Sequence, residues 1–523
     1  MTSNGQSADV LLVMPSDPVS LAYDLSPPLQ ALGIGYLGAY LHANGCHVTL
    51  LDAHLEGLSP EAIAAVVERI RPAVLGFSVQ SRTALVEVWH ILKSMEAREL
   101  RVEHLTLGGH FATVSDQAIL ERLPEIDSIV RGEGEEALLE IAKAVIRGKD
   151  WRTVEGISYT HNGHVIGNPS RKAPTEIDRY PFPFREYSFQ SLKRVRGILS
   201  IVSSRGCWGA CSFCASKQLQ AERGRPIWRP RSPKAVADEV QLLVEKYNAD
   251  FIQFVDDCFL GTGHRGSERA AAIAKEILAR DLKVRFSIEA RSDTVARSSE
   301  TLALLKESGL AAVTLGVESG VDRTLRTFNK QTSVGTNMRA IKVLKNVGLR
   351  TTIGFIFFDP YCTPDELYEN LQFLQHIKEI DPDIGLPPCF TELLIFEGTP
   401  IKEQLEADGL LRGDWQHDYT YVFADKRATL VYDLWKRFET IRPNILNPLV
   451  DTFGLRIPLF DLKSRLLDAW DFDTMNSILS FVETYGAVSE VDLDTFLSEL
   501  FIRQEEKLRY ALVVLLYSGR GVL

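Results

Sequence analysis

The chain opens on two alternating hydrophobic rhythms. Val10-Leu11-Leu12-Val13-Met14 is an unbroken apolar run, the pattern of a strand buried on both faces. Residues 29–44 then carry apolar positions at helical spacing and stop at Gly45. Short apolar runs return at 47–51, 73–78, 104–107 and 126–130, separated by helical stretches. Five strands alternating with helices predict a doubly wound, Rossmann-like α/β sheet. Glycines follow two of these strands, at Gly108-Gly109 and in Gly132-Glu133-Gly134-Glu135. Such sheets take their ligands at the carboxyl ends of strands.

Between Trp151 and Tyr187 the rhythm breaks. Ile157-Ser158-Tyr159 and His164-Val165 flank Asn162-Gly163, which predicts a tight hairpin. Tyr180-Pro181-Phe182-Pro183-Phe184 then interrupts regular structure. Strand–helix alternation resumes at Gly197. Apolar strands at 198–202, 251–255, 284–289, 312–317, 350–357 and 393–396 each run into polar residues or glycine. They end, in order, at a cysteine-rich loop, Asp256-Asp257, Arg291, Glu318-Ser319-Gly320, Asp359-Pro360 and Gly398-Thr399-Pro400. Strands with crossover helices in this number predict a partial (β/α)6 barrel, in which such strand ends form the site. Beyond Pro400 the spacing turns to amphipathic helices, at 426–440, 461–470 and 497–516. The expected organisation is a Rossmann-like domain over 1–150, a connector over 151–190, a barrel over 191–400 and a mostly helical domain over 401–523.

Composition narrows the function classes. A chain of 523 residues holds about two or three domains. A net charge of −11 argues against a general nucleic-acid groove. No apolar run approaches the roughly 20 residues that span a bilayer, and residues 1–9 lack the apolar core of a signal peptide. Seven cysteines, three of them clustered, do not form the pattern of a disulfide framework. A cytoplasmic protein without membrane or nucleic-acid partners is the expectation.

The clustered cysteines carry the chemistry. Cys207, Cys211 and Cys214 stand in a C-x3-C-x2-C spacing. Three thiolates suit three irons of a [4Fe–4S] cube and leave the fourth iron open to a small molecule. Zinc, the other metal of such spacings, wants a fourth Cys or His nearby; the next cysteine is Cys258. Three inert buried thiols are the remaining alternative.

This loop resembles the signature of the radical S-adenosylmethionine (SAM) superfamily, and Phe213, just before the third cysteine, fits the same pattern. The resemblance implies that SAM chelates the open iron and is cleaved to a 5′-deoxyadenosyl radical. It also implies roles at the strand ends. Phe213 belongs to the SAM site. Asp256 and Asp257 meet the methionine ammonium, Glu289 and Arg291 the ribose and carboxylate. Gly316 permits close approach, and Glu318 and Ser319 orient adenosine.

Residues 8–148 resemble the cobalamin-binding domain that precedes many radical SAM cores. The matching features are Pro28-Leu29-Gln30-Ala31-Leu32-Gly33-Ile34-Gly35-Tyr36-Leu37, Leu50-Leu51-Asp52, Gly108-Gly109-His110 and Gly132-Glu133-Gly134-Glu135. The resemblance places cobalamin against Gly108, Gly109, His110, Gly132 and Glu133. Gln80, Ser81 and Arg82, after the third strand, are expected to face the lower side of cobalt. Asp52-Ala53-His54-Leu55-Glu56-Gly57 reads D-x-H-x-x-G, a string that puts histidine on cobalt in non-radical cobalamin enzymes. There it follows the first strand; here it follows the second, so His54 is not expected to reach the metal.

Together these features imply a cobalamin-dependent radical SAM enzyme, foremost a methyltransferase. One SAM would methylate reduced cobalamin and a second would supply the radical that opens an unactivated carbon of a small-molecule substrate. A non-methylating cyclisation, ring contraction or oxidation is the alternative within enzymes, and a cobalamin or iron–sulfur sensor the alternative outside them. An electron donor such as flavodoxin or ferredoxin is the implied partner.

Overall fold

The computed structural model describes residues 8–17, 28–216, 228–386, 390–414, 417–453, 467–486 and 490–517. Among them, the apolar runs of the first third form β1 (Val10–Met14), β2 (Val48–Asp52), β3 (Val74–Ser78), β4 (His104–Gly108) and β5 (Ser128–Val130). All five are parallel, in the order β2-β1-β3-β4-β5. Alternate residues serve opposite faces. Leu11, Val13, Leu75 and Phe77 pack with Ile63, Val67, Val88 and Ile91. Val10, Leu12 and Val74 pack with Ile34, Leu41 and Leu138. The strand order reverses at β1, which opens a crevice at the carboxyl ends of β1 and β3.

The hairpin after Trp151 extends this sheet. β6 (Ile157–His161) and β7 (His164–Gly167) are antiparallel, and β6 joins the edge of β5. Its turn residues Asn162 and Gly163 both take positive φ, 51° and 79°, as a two-residue hairpin turn requires. The proline-rich string then docks on the helix Leu32–Ala43. Phe184 donates its N–H to the Gly35 carbonyl at 3.1 Å, and a Cβ at Gly35 would meet the Phe184 carbonyl oxygen at 2.8 Å.

The second sheet contains β8 (Leu199–Ile201), β11 (Phe251–Phe254), β12 (Arg285–Arg291), β13 (Leu310–Glu318) and β14 (Arg350–Phe355), all parallel and in that spatial order. Between β8 and β11 a short ribbon pairs β9 (Ser204–Arg205) with β10 (Arg229–Pro230). One face is covered by helices and buries Phe286, Ile288, Val313, Leu315 and Ile353. The other faces the concave side, where Ser287, Glu289, Thr314, Gly316 and Thr352 stay open. The sixth expected strand, at 393–396, does not form. At its start a parallel bridge pairs Phe358 with Glu392, and the Leu393 N–H donates to the Phe358 carbonyl at 3.0 Å. The Thr391 carbonyl accepts from both Phe357 and Phe358, at 2.9 and 3.0 Å. One carbonyl serving two successive N–H groups is a bulge, and it ends the two-residue register.

The C-terminal helices close the flank of the barrel. Trp435, Phe438, Trp470, Met475, Ile478 and Leu500 share one core with Leu371, Phe373 and Phe390 of the barrel. The helix expected over 461–470 falls largely outside the described residues, which resume at Leu467. No described helix is long and apolar enough to cross a membrane.

A cleft between two sheets as the candidate active site

The carboxyl ends of the two parallel sheets face one cleft. A cavity of about 390 Å³ lies there, within the roughly 300–1,000 Å³ of ligand sites. The first sheet contributes Leu12, Gly76, Gln80, Gly108, Gly109 and Gly132. The barrel contributes Val202, Ser204, Gly206, Val255 and Asp257. The glycine wall is required by space. A Cβ at Gly76 would meet Leu12 at 2.8 Å, and one at Gly109 would meet the Val79 carbonyl oxygen at 2.6 Å. Gly109 also takes φ +100°, which favours glycine. A wall in which glycines bring backbone to the cavity, opposite a polar rim, suits a broad flat ring such as a corrin.

The cysteine loop leaves β8 and is fastened by backbone and hydroxyl contacts rather than by its thiols. Ser203 donates to Asp256 through N–H at 3.1 Å and through its hydroxyl at 2.9 Å, and the Ser204 hydroxyl donates to Asp256 at 2.5 Å. Ser212 N–H donates to the Phe328 carbonyl and its hydroxyl to the Thr327 carbonyl, both at 2.9 Å. Asn329 donates to the Ala210 carbonyl at 2.8 Å. Gly206 takes φ +91° at the bend before Cys207.

All three loop cysteines are free thiols, Cys211 buried and Cys207 and Cys214 half-buried. A hydrogen bond from Cys258, assisted by the Gly209 N–H, holds Cys207 down at about 7; burial raises Cys214. Among the described residues no three Cys, His, Asp or Glu side chains converge on a point that would hold a single metal ion.

The expected site residues divide by placement. Gln80, Gly108, Gly109, His110, Gly132, Glu133 and Asp257 line the cavity. Burial lowers the His110 imidazole pKa, opposed by Asp257. Ser81 and Arg82 turn elsewhere. The Ser81 hydroxyl caps the helix Arg82–Ala97 and donates to Asp17 at 2.6 Å. Arg82 grips Asp418 through two bonds, at 2.8 and 2.9 Å, tying the first domain to the C-terminal region.

On the barrel side, Asp256 is buried beneath the cysteine loop, while its neighbour Asp257 reaches the cleft. Glu289 opens onto the concave face. Desolvation, reinforced by Asp257 and Asp256, lifts its carboxyl to about 7. Arg291 is held at each of its three nitrogens. Its Nε donates to Asp293 at 3.0 Å, one Nη to Cys211 Sγ at 3.5 Å and the other to the Lys330 carbonyl at 2.5 Å. Trp208 covers the guanidinium, whose carbon lies 4.4 Å from the ring centre. Gly316 leaves room for the Lys330–Glu318 ion pair at 2.6 Å; a Cβ there would meet Lys330 Nζ at 2.8 Å. Ser319 is buried on Asn370 at 3.0 Å, and Phe213 packs edge-on against Phe328. Lys330, Trp208, Arg205 and Arg229 are contributors that no motif in the sequence announces.

His54 does not line the cavity. Its Nδ1 accepts the Asp17 N–H at 3.1 Å. His54→Ala is therefore expected to retain cobalamin with an unchanged visible spectrum. Nitrogen from this residue in the electron-resonance spectrum of cobalt would contradict that placement.

Residues 201–374 match the family described as the radical SAM superfamily, and residues 23–142 match the B12 binding domain. An uncharacterized methyltransferase of Pyrococcus horikoshii is 26% identical over 404 residues, covering 77% of this chain and 84% of that protein. The anaerobic magnesium-protoporphyrin IX monomethyl ester cyclase of Rubrivivax gelatinosus is 30% identical over 363 residues, covering 67% of this chain and 62% of the cyclase. The structure of the cobalamin-dependent SAM radical enzyme OxsB with aqua-cobalamin shares the fold. Its TM-score is 0.80 at 19% identity, covering 97% of this chain and 81% of that one.

Proposed function

The chain belongs to the radical SAM enzymes that carry a B12-binding domain, and from that premise we propose that it moves a methyl group to an unactivated carbon of a small-molecule substrate. The observation that carries this reading is the shared cleft: the glycine wall of the first sheet and the two ends of the cysteine loop, residues 204–206 and Ser216, line the same cavity. When bound there, cluster and SAM supply a 5′-deoxyadenosyl radical and cobalamin supplies a transferable methyl. Cys207, Cys211 and Cys214 hold the cluster. Gln80, Gly108, Gly109, His110 and Gly132 form the seat of the corrin.

Asp257 faces the cleft and offers an acceptor for an ammonium group. Glu289, titrating near neutrality, can donate or accept a hydrogen bond on the ribose. The concave barrel face, with Ser287, Thr314 and Thr352 open, is the place for substrate. Arg291, bonded to Cys211 and stacked on Trp208, orients the cysteine loop. A cytoplasmic setting and a flavodoxin- or ferredoxin-type reductant complete the reading, since an oxygen-sensitive cluster needs a reducing compartment and an electron source.

The cyclase relative keeps a second reading in play, a radical reaction without methyl transfer. Methyl-labelled SAM separates the two. The expected result is label in the product, with S-adenosylhomocysteine and 5′-deoxyadenosine both accumulating. Altered substrate with 5′-deoxyadenosine but no S-adenosylhomocysteine would overturn the methyltransferase reading.

A further inference from the structure

The Gly132-Glu133-Gly134-Glu135 string has work that the cavity does not exhaust. Both of its glutamates reach across the domain boundary to the ribbon at the root of the cysteine loop. In that ribbon Arg205 and Arg229 sit directly opposite each other on antiparallel strands. Two like charges in that register repel. The first domain neutralises them. Arg229 forms a two-pronged ion pair with Glu133 and also donates to the Pro174 carbonyl at 2.9 Å. Arg205 meets Glu133 at 3.2 Å and Glu135 at 2.5 Å. Tyr36 and Tyr180 lie 5.3 and 5.1 Å from the Arg205 guanidinium carbon. Arg229 and Glu135 are each only 4% exposed. Water therefore competes weakly for these charges, unlike those of a surface pair.

The placement of this clamp gives it a consequence. Arg205 lies two residues before Cys207, and Glu133 follows Gly132 of the cavity wall. The ribbon closes the loop that carries all three cysteines, since β9 precedes Cys207 and β10 follows Cys214. A single charge cluster thus joins the wall of one cofactor site to the base of the other. On the functional reading above, we infer that Arg205 and Glu135 are positioning residues. They hold the cysteine loop in register with the cavity of the first sheet, and so set the approach of SAM to cobalamin.

Chemistry at the cysteine loop alone should survive without the clamp, whereas chemistry between the two sites should not. Two products separate them without any substrate. 5′-Deoxyadenosine forms when the reduced cluster cleaves SAM. S-adenosylhomocysteine forms when SAM loses its methyl group to cobalamin, with dithionite supplying electrons for both. Arg205 and Glu135 themselves line the cavity, so products are counted per bound cobalamin. Arg205→Gln and Glu135→Gln, reconstituted with iron, sulfide and cobalamin, are expected to keep iron content. Per bound cobalamin, 5′-deoxyadenosine should fall far less than S-adenosylhomocysteine. S-adenosylhomocysteine should fall roughly 100-fold, the cost of displacing reacting groups by about 1 Å. Arg205→Lys, which keeps the charge, should recover part of that loss.

A parallel fall in both products, or loss of both cofactors from all three variants, makes the clamp a folding element and overturns the proposal. An unchanged ratio of the two products overturns it as well. Wild-type protein that takes up no cobalamin would sink the functional reading itself. Wild-type protein active in both reactions, with variants that match it, would sink the clamp alone.

Discussion

Replacing Cys207, Cys211 and Cys214 together with alanine is expected to give a folded protein that lacks the brown cluster absorption, holds no iron and does not cleave SAM. Thiolates are the ligands of such clusters, and the loop offers no substitute donors at short spacing. The fold should survive because the loop is fastened independently of sulfur. Asp256 holds Ser203 and Ser204, and Phe328, Thr327 and Asn329 hold residues 210–212. Far-ultraviolet circular dichroism should match wild type while iron content falls to background. Cys46, Cys258 and Cys362 are buried thiols, and alanine at any one of them should leave iron content intact. Cys258 is the demanding case, since its thiol hydrogen-bonds Cys207. Cys389, for which the same result is expected, lies outside the described residues. Iron retained by the triple variant, or lost on changing Cys258 alone, would refute the three-ligand assignment.

What the sequence reveals here follows the range of each signal. Buried parallel strands are contiguous apolar runs, so β1 and β3 are visible within a window of five residues. Asn162-Gly163 announces its turn because both residues tolerate positive φ. The contrast between Asp256 and Asp257 arises just past the end of β11, where the chain turns under the cysteine loop. Phe254 and Asp256 point to the buried side, and Asp257 to the cleft. Ser81 and Arg82 diverge from Gln80 for a similarly local reason, because a helix begins there and Ser81 is its cap.

Long-range pairs leave no local trace. Arg205 meets Glu135 across 70 residues of chain, and Lys330 enters the site from a turn whose geometry only the assembled barrel defines. The missing sixth strand belongs to the same class. Its apolar alternation is present, but the Leu393 N–H is shared with the Tyr421 hydroxyl, supplied by a later segment.

Glu239→Gln is expected to cost about 3–5 kcal/mol of stability, the price of breaking a buried ion pair by removing one partner. Glu239 is fully buried and accepts from Arg185 at 2.7 Å and from Arg231 at 2.5 Å. Those two guanidiniums are themselves 1% and 4% exposed. Glutamine keeps the size and one acceptor oxygen but removes the buried negative charge that pairs with both. Asp178, at 3.8 Å from Arg231 and half-exposed, offers little compensation. The damage should spread to the site. Arg185 donates to the Ser200 carbonyl at 2.7 Å and to Gln30 at 3.3 Å, and Arg231 donates to the Val202 carbonyl at 2.8 Å. These bonds fix β8 just before the cysteine loop and join it to the start of the helix Leu32–Ala43. Urea unfolding should therefore show a lowered midpoint, together with weaker retention of iron at moderate denaturant. Lys234→Ala, which breaks an exposed pair with Asp238, should cost no more than about 1 kcal/mol and serves as the control. A midpoint for Glu239→Gln equal to that control would show that the two arginines find other charge partners, and would remove the triad from the account of what holds the two domains together.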